Sequence, residues 1–342
     1  MSLLRAEWKR FFARRFTRIM LVIVVLLLAG VATSVAHSNH KRTPAVVARA
    51  RTEMTQQQTG MDQQVSACKA AQAAGPVPAD SLYSLPPGAT CEDIFGNAGF
   101  PLTASMFLPS TWVFAQDGTD LLLIFGVILA LFGFATGASS VGAEWSSGGM
   151  TNLLLWRPRR VVVLGAKLGA LLLSVLATGL ILLALWIGML CAIAAFRGSF
   201  GHLTAGVIES IALSASRSLA LGLALTAIGF AIASIGRNTA SALGIAVGYV
   251  VVIEAGGEVI ARLAHIARPE RFLLSRYVAA WLYKSQQFDT PQACSLRAGP
   301  EPVTCGSGAW YIRMGSAAEV IGILIVALLA WAFIAMQRRD VT

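Results

Sequence analysis

The chain has 342 residues, of which 56% are hydrophobic and only 13% are charged. Soluble domains carry about 25% charged residues, and so few charges cannot cover so much apolar surface in water. The composition excludes a soluble enzyme, a disordered protein and a small disulfide-stapled protein, and it predicts an integral membrane protein. The net charge of +10 indicates contact with anionic lipid headgroups rather than nucleic acid, because no basic run is interleaved with stacking aromatic residues.

The first 18 residues have the pattern of an amphipathic helix lying on a membrane surface. Apolar and aromatic residues recur at intervals of three and four, with basic residues between them. The apolar members are Leu3, Leu4, Trp8, Phe11, Phe12 and Phe16. A cleaved signal peptide is the alternative, but the apolar run that follows has about 18 residues, against roughly 7–15 in a signal peptide. We therefore expect residues 1–18 to be retained as a cytoplasmic helix.

Six apolar stretches are long enough to cross a hydrocarbon core of about 30 Å as helices. They are residues 19–36, 121–142, 161–195, 205–235, 240–260 and 317–336. The predicted fold class is therefore an all-α integral membrane protein with six transmembrane helices.

The distribution of Lys and Arg near these spans predicts the orientation. Six basic residues lie within the first 18 positions, and four more lie in the short connection between the second and third spans. Basic residues on the opposite side are spread over much longer loops, which translocate largely regardless of charge. Both termini are therefore predicted to be cytoplasmic.

The segments between the spans differ greatly in length. Residues 37–120 are predicted to form a small extracellular domain, and residues 261–316 a second extracellular loop that contains a Pro/Gly hairpin. Residues 143–160 are predicted to be a cytoplasmic coupling loop, and residues 337–342 a cytoplasmic tail.

The cysteines support this orientation independently. Cys68 and Cys91 lie in the first long loop, and Cys294 and Cys305 lie in the last one. A cysteine pair in each predicted extracellular loop is typical of an oxidising exterior, so we expect disulfides Cys68–Cys91 and Cys294–Cys305. Zinc is the alternative, but no Cys-x-x-Cys occurs and no His lies near these four cysteines.

No catalytic motif is present in the sequence. The phosphate-binding pattern G-x-x-x-x-G-K-[ST] is absent, as are His-Glu-x-x-His and Gly-x-Ser-x-Gly. We therefore expect no catalytic residue and no metal site, and the chain cannot hydrolyse ATP alone by that chemistry.

Charges inside the predicted spans are a second signal, because a charge in hydrocarbon costs several kcal/mol. Arg217 lies about 28 Å from the turn at Gly236, and Glu254 and Glu258 lie about 24 and 30 Å from the same turn, at 1.5 Å per residue. These charges share one level in the outer half of the bilayer. We expect an intramembrane ion pair between Arg217 and a Glu, and a contact with substrate stays open as the alternative.

The connection between the second and third spans is unusual for a tether. Glu144 is followed by a Gly pair, a Leu-Leu-Leu-Trp run ending at Trp156, and basic residues up to Lys167. The apolar run is too short to cross the membrane, so it predicts a short helix whose apolar face is buried by a partner protein. An interfacial helix against lipid is the alternative.

This connection resembles that of ABC-2 type permeases, the membrane subunits of bacterial ABC exporters. The family pattern runs through Glu, Gly-Thr, Leu-Leu, Pro, Arg and Lys. In this chain those places are held by Glu144, Gly148, Leu154, Leu155, Pro158, Arg160 and Lys167. Gly149 stands where the family has Thr, with Thr151 nearby. The opening residues 5–10 resemble the family's amphipathic connecting helix, and six spans with a large loop after the first match its subset with large extracellular domains.

The resemblance implies an ABC-2 exporter-like (type V) bundle in a bacterial plasma membrane. It implies a permease dimer, formed with a second copy or a paralogue, and two separate ATP-binding subunits. ATP and Mg²⁺ would be bound by those subunits, so this chain would hold no cofactor and would not be an enzyme by itself. The residues expected to couple to the ATPase are Trp8, Glu144, Gly148, Leu154, Leu155, Trp156, Pro158, Arg159, Arg160 and Lys167.

Two other functions remain open at this point. A lipid-modifying membrane enzyme would have to use Arg217, Glu254 and Glu258, the ionisable residues that lie deep in the spans. A membrane sensor would bind a ligand at residues 37–120 and signal through the cytoplasmic loop.

Overall fold

The computed structural model describes residues 8, 10–75, 77, 81–86, 88–96, 102–150, 152, 160–264, 266, 269–289 and 309–338, with the backbone alone at 258, 261, 262, 269 and 289. The fold is mostly helical. In chain order the helices are α1 (Arg15–Ser38), α2 (Pro44–Ala73), α3 (Cys91–Phe95), α4 (Phe114–Ser146), α5 (Arg160–Phe196), α6 (Ala205–Gly236), α7 (Thr239–Gly248), α8 (Gly256–Leu263), α9 (Leu274–Tyr283) and α10 (Met314–Arg338). Short 3₁₀ turns cover Ala104–Phe107 and Pro269–Phe272.

Within the described part of the chain, five helices are long and apolar enough to cross a membrane, namely α1, α4, α5, α6 and α10. This agrees with an all-α membrane protein. The predicted fifth span, 240–260, is not one continuous α-helix, because a π-helical segment (Tyr249–Ala255) separates α7 from α8. That segment contains the run 250–253 of four β-branched residues, whose side chains crowd the preceding turn of an α-helix.

The described part of the N-terminal segment continues into α1. Residues 10–13 are helical and residues 15–18 belong to α1. Helical hydrogen bonds continue across Arg14, from Arg14 N to the Arg10 carbonyl and from Arg18 N to the Arg14 carbonyl. Phe11 is buried, whereas Trp8 and Phe12 are exposed. The segment before α1 therefore has one buried and two exposed aromatic side chains among its described residues.

Two compact units are distinguishable. The first comprises Met1–Ala32, Ala115–Leu190 and Gly201–Thr342, and the second comprises Thr33–Phe114 and Cys191–Phe200.

In the first unit, α4 and α6 approach closely through small residues. A β-carbon on Gly133 would collide with Thr226 and with the carbonyl of Gly222, and one on Gly137 would collide with the carbonyl of Thr226. Gly229 has the same relation to the carbonyl of Phe134. Small residues let helix backbones approach in this way, which is how helices in membranes gain packing energy. By contrast, Gly244 and Gly248 of α7, a spacing that also permits close packing, have open space beside them.

The second unit is held by caps and a covalent link. Thr43 caps α2 through Val46 N, with Pro44 at the first helical position. A disulfide joins Cys68 to Cys91, which confirms that predicted pair. Thr90 and Asp93 form a capping box at α3. The predicted pair Cys294–Cys305 lies outside the described residues.

A two-stranded antiparallel ribbon interrupts the helical architecture of the first unit. β1 (Ser285–Asp289) pairs with β2 (Ala309–Arg313), with Ser285 opposite Arg313. The ribbon joins α9 to α10, within the loop where the sequence predicts a Pro/Gly hairpin.

Candidate functional site

The most prominent polar feature of the first unit is an ionic cluster centred on Glu144, near the end of α4. Its carboxylate Oε1 lies 2.5 Å from Arg14 Nη2, and its Oε2 lies 2.7 Å from Lys167 Nζ in α5. One carboxylate thereby ties together the segment preceding α1, the end of α4 and the beginning of α5.

The burial of this cluster makes its ion pairs important for the stability of the fold. The side chain of Lys167 is 4% exposed, that of Glu144 is 17% exposed, and that of Arg14 is 25% exposed. An ammonium group taken out of water costs several kcal/mol unless it is paired. Lys167 can therefore be buried here because Glu144 compensates its charge.

Arg14 also binds the backbone of α4. Its Nη1 donates to the carbonyls of Ser139 at 3.3 Å and Ser140 at 2.9 Å. Cations are favoured near the carboxyl-terminal end of a helix, where the dipole is negative. With two cations and one carboxylate the cluster keeps one net positive charge.

A cavity of about 30 Å³ lies beside the cluster. Several hydroxyl-bearing residues line it, among them Thr136, Ser139 and Ser174. A polar cavity of this size accommodates one or two water molecules. Two members of the cluster, Arg14 and Lys167, therefore border a small cavity that is lined largely by polar residues.

Other helix ends meet at the same end of this unit. Arg237, in the turn between α6 and α7, lies 4.7 Å from the centroid of the Trp145 ring. Its backbone has φ 53°, a left-handed conformation that is uncommon outside glycine. Arg160, at the start of α5, donates to the carbonyl of Met336 near the end of α10 at 3.5 Å.

The chain turns sharply at Gly148, two residues after the end of α4. Gly148 has φ +71°, which glycine adopts without steric cost. Gly149, the position that departs from the expected Gly-Thr, has only ordinary van der Waals neighbours at 3.5 Å and beyond. A β-carbon is accommodated at this position, so contact with a β-carbon does not enforce the departure.

The sequence model that describes ABC-2 family transporter proteins matches residues 1–341. The chain belongs to this family. Searches of curated proteins and of solved structures each found no match. Membership confirms the ABC-2 type permease inferred from residues 144–167, and it identifies the chain as a component of membrane transport that is not itself catalytic.

The structure places the predicted coupling residues of this ABC-2 permease in two groups. Glu144 and Lys167 contact each other, Gly148 forms the turn, Arg160 begins α5, and Trp8 lies exposed in the N-terminal segment. The remaining candidates lie outside the described residues, namely Leu154, Leu155, Trp156, Pro158 and Arg159.

The predicted pair Arg217–Glu254 is wrong, because each residue has other partners. Arg217 donates to the carbonyls of Leu213 at 3.1 Å and Leu282 at 3.2 Å, and to Ser214 Oγ at 3.0 Å. Glu254 Oε1 instead accepts from the Ser275 backbone N–H at 2.9 Å. The side chain of Glu258 is outside the described part of the chain, so its pairing with Arg217 stays a prediction.

Sequence reasoning missed Arg14, Trp145 and Arg237 as members of this site. Arg14 is one of six basic residues in the first 18 positions, and periodicity does not distinguish it from the others. Its contact with Glu144, 130 positions away, sets it apart, and that contact is visible only in the fold.

Proposed function

We propose that this chain is the permease subunit of an ABC exporter, moving substrate out across a bacterial plasma membrane. ATP would be hydrolysed, with Mg²⁺, by separate nucleotide-binding subunits, and a second permease copy or paralogue would complete the complex. Family membership supports the permease assignment. Export, the ATPase partner and the dimer are the further steps of the proposal.

The observation that carries the proposal is the ionic cluster of Arg14, Glu144 and Lys167. A subunit that pushes on the N-terminal segment or on residues 151–159 pushes on elements that share one buried carboxylate. Because the interactions inside a low-dielectric site are strong and directional, the three helix ends must move together. A coupling element requires this rigidity.

The proposed topology has six spans with both termini in the cytoplasm. The fifth crossing would be formed by α7, the π-helical segment and α8 together, which cover Thr239–Leu263. At about 1.5 Å per residue this length exceeds a hydrocarbon core of about 30 Å. The basic residues beside the ionic cluster favour the cytoplasmic side for this end.

The two alternative functions have less support. A lipid-modifying enzyme needs ionisable side chains that converge on one point. Arg217 donates to the Leu282 carbonyl and Glu254 accepts from the start of α9, so the two side chains do not converge on one substrate atom. A sensor would require a ligand at the second unit, and family membership favours transport instead.

The experiment is affinity purification of the tagged full-length chain from its native host, followed by assay of the recovered ATPase activity. The variant Leu155→Asp with Trp156→Ala removes the expected apolar anchors of the partner contact, since buried aromatic residues often dominate such interfaces. We expect this variant to reach the membrane in normal amount but to lose the co-purifying ATPase or its coupling to transport.

The matched control is Leu82→Asp with Met106→Ala, which changes two exposed apolar residues of the second unit. It should retain the ATPase. If the parent chain recovers no ATPase, the proposed function is wrong. If the parent recovers it and the 155/156 variant recovers it equally and transports normally, this loop is not the coupling element.

A further inference from the structure

A cleft of about 510 Å³ opens in the first unit between α6, α9 and the start of α10. Three cationic side chains line it, those of Arg217, Lys284 and Arg313. No Asp or Glu is among the described residues that line it. All the charged residues described in its lining are therefore positive.

The three cations keep their charge uncompensated within the described residues. Arg217 is buried, and its guanidinium donates to neutral acceptors, the Leu213 and Leu282 carbonyls and the Ser214 hydroxyl. Lys284 and Arg313 form no ion pair with any carboxylate whose side chain the structure describes. Like charges held together raise the electrostatic potential of a cleft and favour an anion inside it.

The backbone holds two of these cations side by side. Lys284 has φ 72° and ends α9, and its carbonyl accepts from Met314 N at 2.9 Å. The next residue, Ser285, pairs with Arg313 across the ribbon. The geometry therefore brings Lys284 and Arg313 together before any ligand arrives, which lowers the entropy cost of binding.

A second, apolar groove of about 190 Å³ shares the Trp281 wall of this cleft. The groove runs between α6 and α10, and no charged residue lines it within the described part of the chain. Its lining comprises Ala220, Leu221, Ala224, Trp281, Ala318, Ile321, Gly322 and Ile325.

The two spaces follow one another along both helices. On α6, Leu213 and Arg217 line the cleft and Ala224 lines the groove. On α10, Met314 lines the cleft and Ile325 lines the far end of the groove. From Met314 to Ile325 the cleft and the groove together span eleven residue steps, about 16 Å of helix. The cationic cleft thus continues into an apolar groove, and their combined length is about half of a hydrocarbon core of about 30 Å.

We propose that this cleft and groove bind an anionic amphiphile, with its charged headgroup against Lys284, Arg313 and Arg217 and its hydrocarbon chain along the groove. Charge-assisted hydrogen bonds select the headgroup, and burial of apolar area selects the chain. The site is separate from the ionic cluster of Glu144, so this inference does not depend on how the permease is coupled to an ATPase.

The headgroup is tested by native mass spectrometry of the full-length chain in detergent, titrated with phosphatidylglycerol and with phosphatidylcholine of the same acyl chains. The parent should bind phosphatidylglycerol more tightly. Lys284→Gln with Arg313→Gln should lose roughly tenfold or more of that affinity, from the attraction of each cation for an anionic headgroup. Arg49→Gln with Arg51→Gln, two exposed cations of α2, makes the same change in net charge and should bind as the parent does.

The binding of the ligand's hydrocarbon chain in the groove is tested by Gly322→Leu. A β-carbon at Gly322 meets no atom within 4 Å, so the leucine side chain can extend into the groove. It should weaken phosphatidylglycerol binding severalfold, whereas Gly244→Leu, at an equally open glycine of α7, should not. Equal binding of the two lipids, or unchanged preference in the 284/313 variant, would overturn the proposal. So would displacement of the lipid by millimolar inorganic phosphate together with normal binding by Gly322→Leu, because the ligand would then be a free anion.

Discussion

At the scale of single residues, Glu144 is the carboxylate that pairs with two cations, Arg14 and Lys167. It neutralises Lys167, which is almost completely buried, and it orients Arg14. Removing one partner of a buried pair is far more costly than replacing both, because the remaining charge stays without compensation. Glu144 is therefore expected to be required for folding as well as for coupling.

We predict that Glu144→Gln lowers the free energy of unfolding by about 3 kcal/mol, the cost of an uncompensated buried cation. Thermal unfolding of the detergent-solubilised protein measures this, with the exposed Glu53→Gln of α2 as control. Adding Lys167→Met to Glu144→Gln should recover part of the loss in a double-mutant cycle. Strict additivity of the two changes would contradict the ion pair.

A second residue-scale prediction concerns Glu92, which lies outside the membrane-spanning helices. The hydrogen bond from Lys69 lowers the pKa of Glu92 below its ordinary value of 4.5, and the two groups lie 2.5 Å apart. A carboxylate with a lowered pKa stabilises the fold above its ordinary pKa, and this contribution is lost as the pH falls through the folded-state pKa.

Lys69→Gln should therefore raise the pKa of Glu92 toward 4.5, as measured by NMR titration of carboxyl carbons in the full-length protein. The neighbouring Asp93 is an internal control. Hydrogen bonds from Thr90 lower its pKa, so its titration should not move. An unchanged Glu92 titration in the variant would show that Lys69 is not the cause.

At the scale of elements, the contact between α4 and α6 depends on residues without side chains. We predict that Gly137→Ala destabilises the protein by about 1–3 kcal/mol, because its methyl group would press on the Thr226 backbone carbonyl. Gly169→Ala in α5, where nothing lies within 4 Å, should be neutral or stabilising through higher helix propensity. Thermal unfolding of the two variants compares them directly, and equal stability would contradict this packing.

The π-helical segment caps α9, and this contact explains why the acidic residue Glu254 lies in an apolar segment. Leu273 precedes α9 and cannot cap it with its side chain. Instead, Tyr249 Oη accepts from Leu274 N at 2.9 Å, and Glu254 Oε1 accepts from Ser275 N at 2.9 Å. Two of the amides that a helix start leaves unpaired are therefore satisfied by one distant segment.

Glu254→Leu should consequently loosen the first turn of α9. Loss of a cap costs about 1 kcal/mol, which corresponds to roughly fivefold faster amide exchange at Leu274 and Ser275. Hydrogen–deuterium exchange of the full-length protein measures this, with Glu209→Leu, an exposed acid near the start of α6, as control. Equal exchange in both variants would show that Glu254 does not cap α9.

At the scale of the whole molecule, the disulfide Cys68–Cys91 reports on which side of the membrane the second unit lies. We predict that a chain with Cys191, Cys294 and Cys305 replaced by Ser resists a membrane-impermeant maleimide in intact cells. An impermeant reductant should then expose both thiols, because disulfides persist in oxidising compartments. Labelling before reduction would exclude the disulfide, and labelling only after permeabilisation would place this unit inside the cell.

The long apolar helices can be predicted from sequence, with ends that differ from the observed ones by up to seven residues. The third span is predicted at 161–195 and α5 covers Arg160–Phe196, whereas the second is predicted at 121–142 and α4 covers Phe114–Ser146. The break at Tyr249–Ala255 was not predicted, because composition does not tell an α-helix from a π-helical segment of the same apolar residues. Likewise, the small residues that join α4 to α6 occur in a chain with 32 glycines, and spacing alone does not identify the ones in contact.

Sequence alone suffices for the membrane class, the long helices, the Cys68–Cys91 pair and the family. Hydrocarbon offers the backbone no hydrogen-bond partners, so an apolar run of sufficient length must be helical whatever surrounds it. The partners of the charged residues depend on the fold. Arg217 binds the carbonyl of Leu282, 65 positions away, and Glu144 binds Arg14, 130 positions away. Such contacts depend on how each helix is rotated about its axis and on which helices are neighbours, and local pattern carries neither quantity.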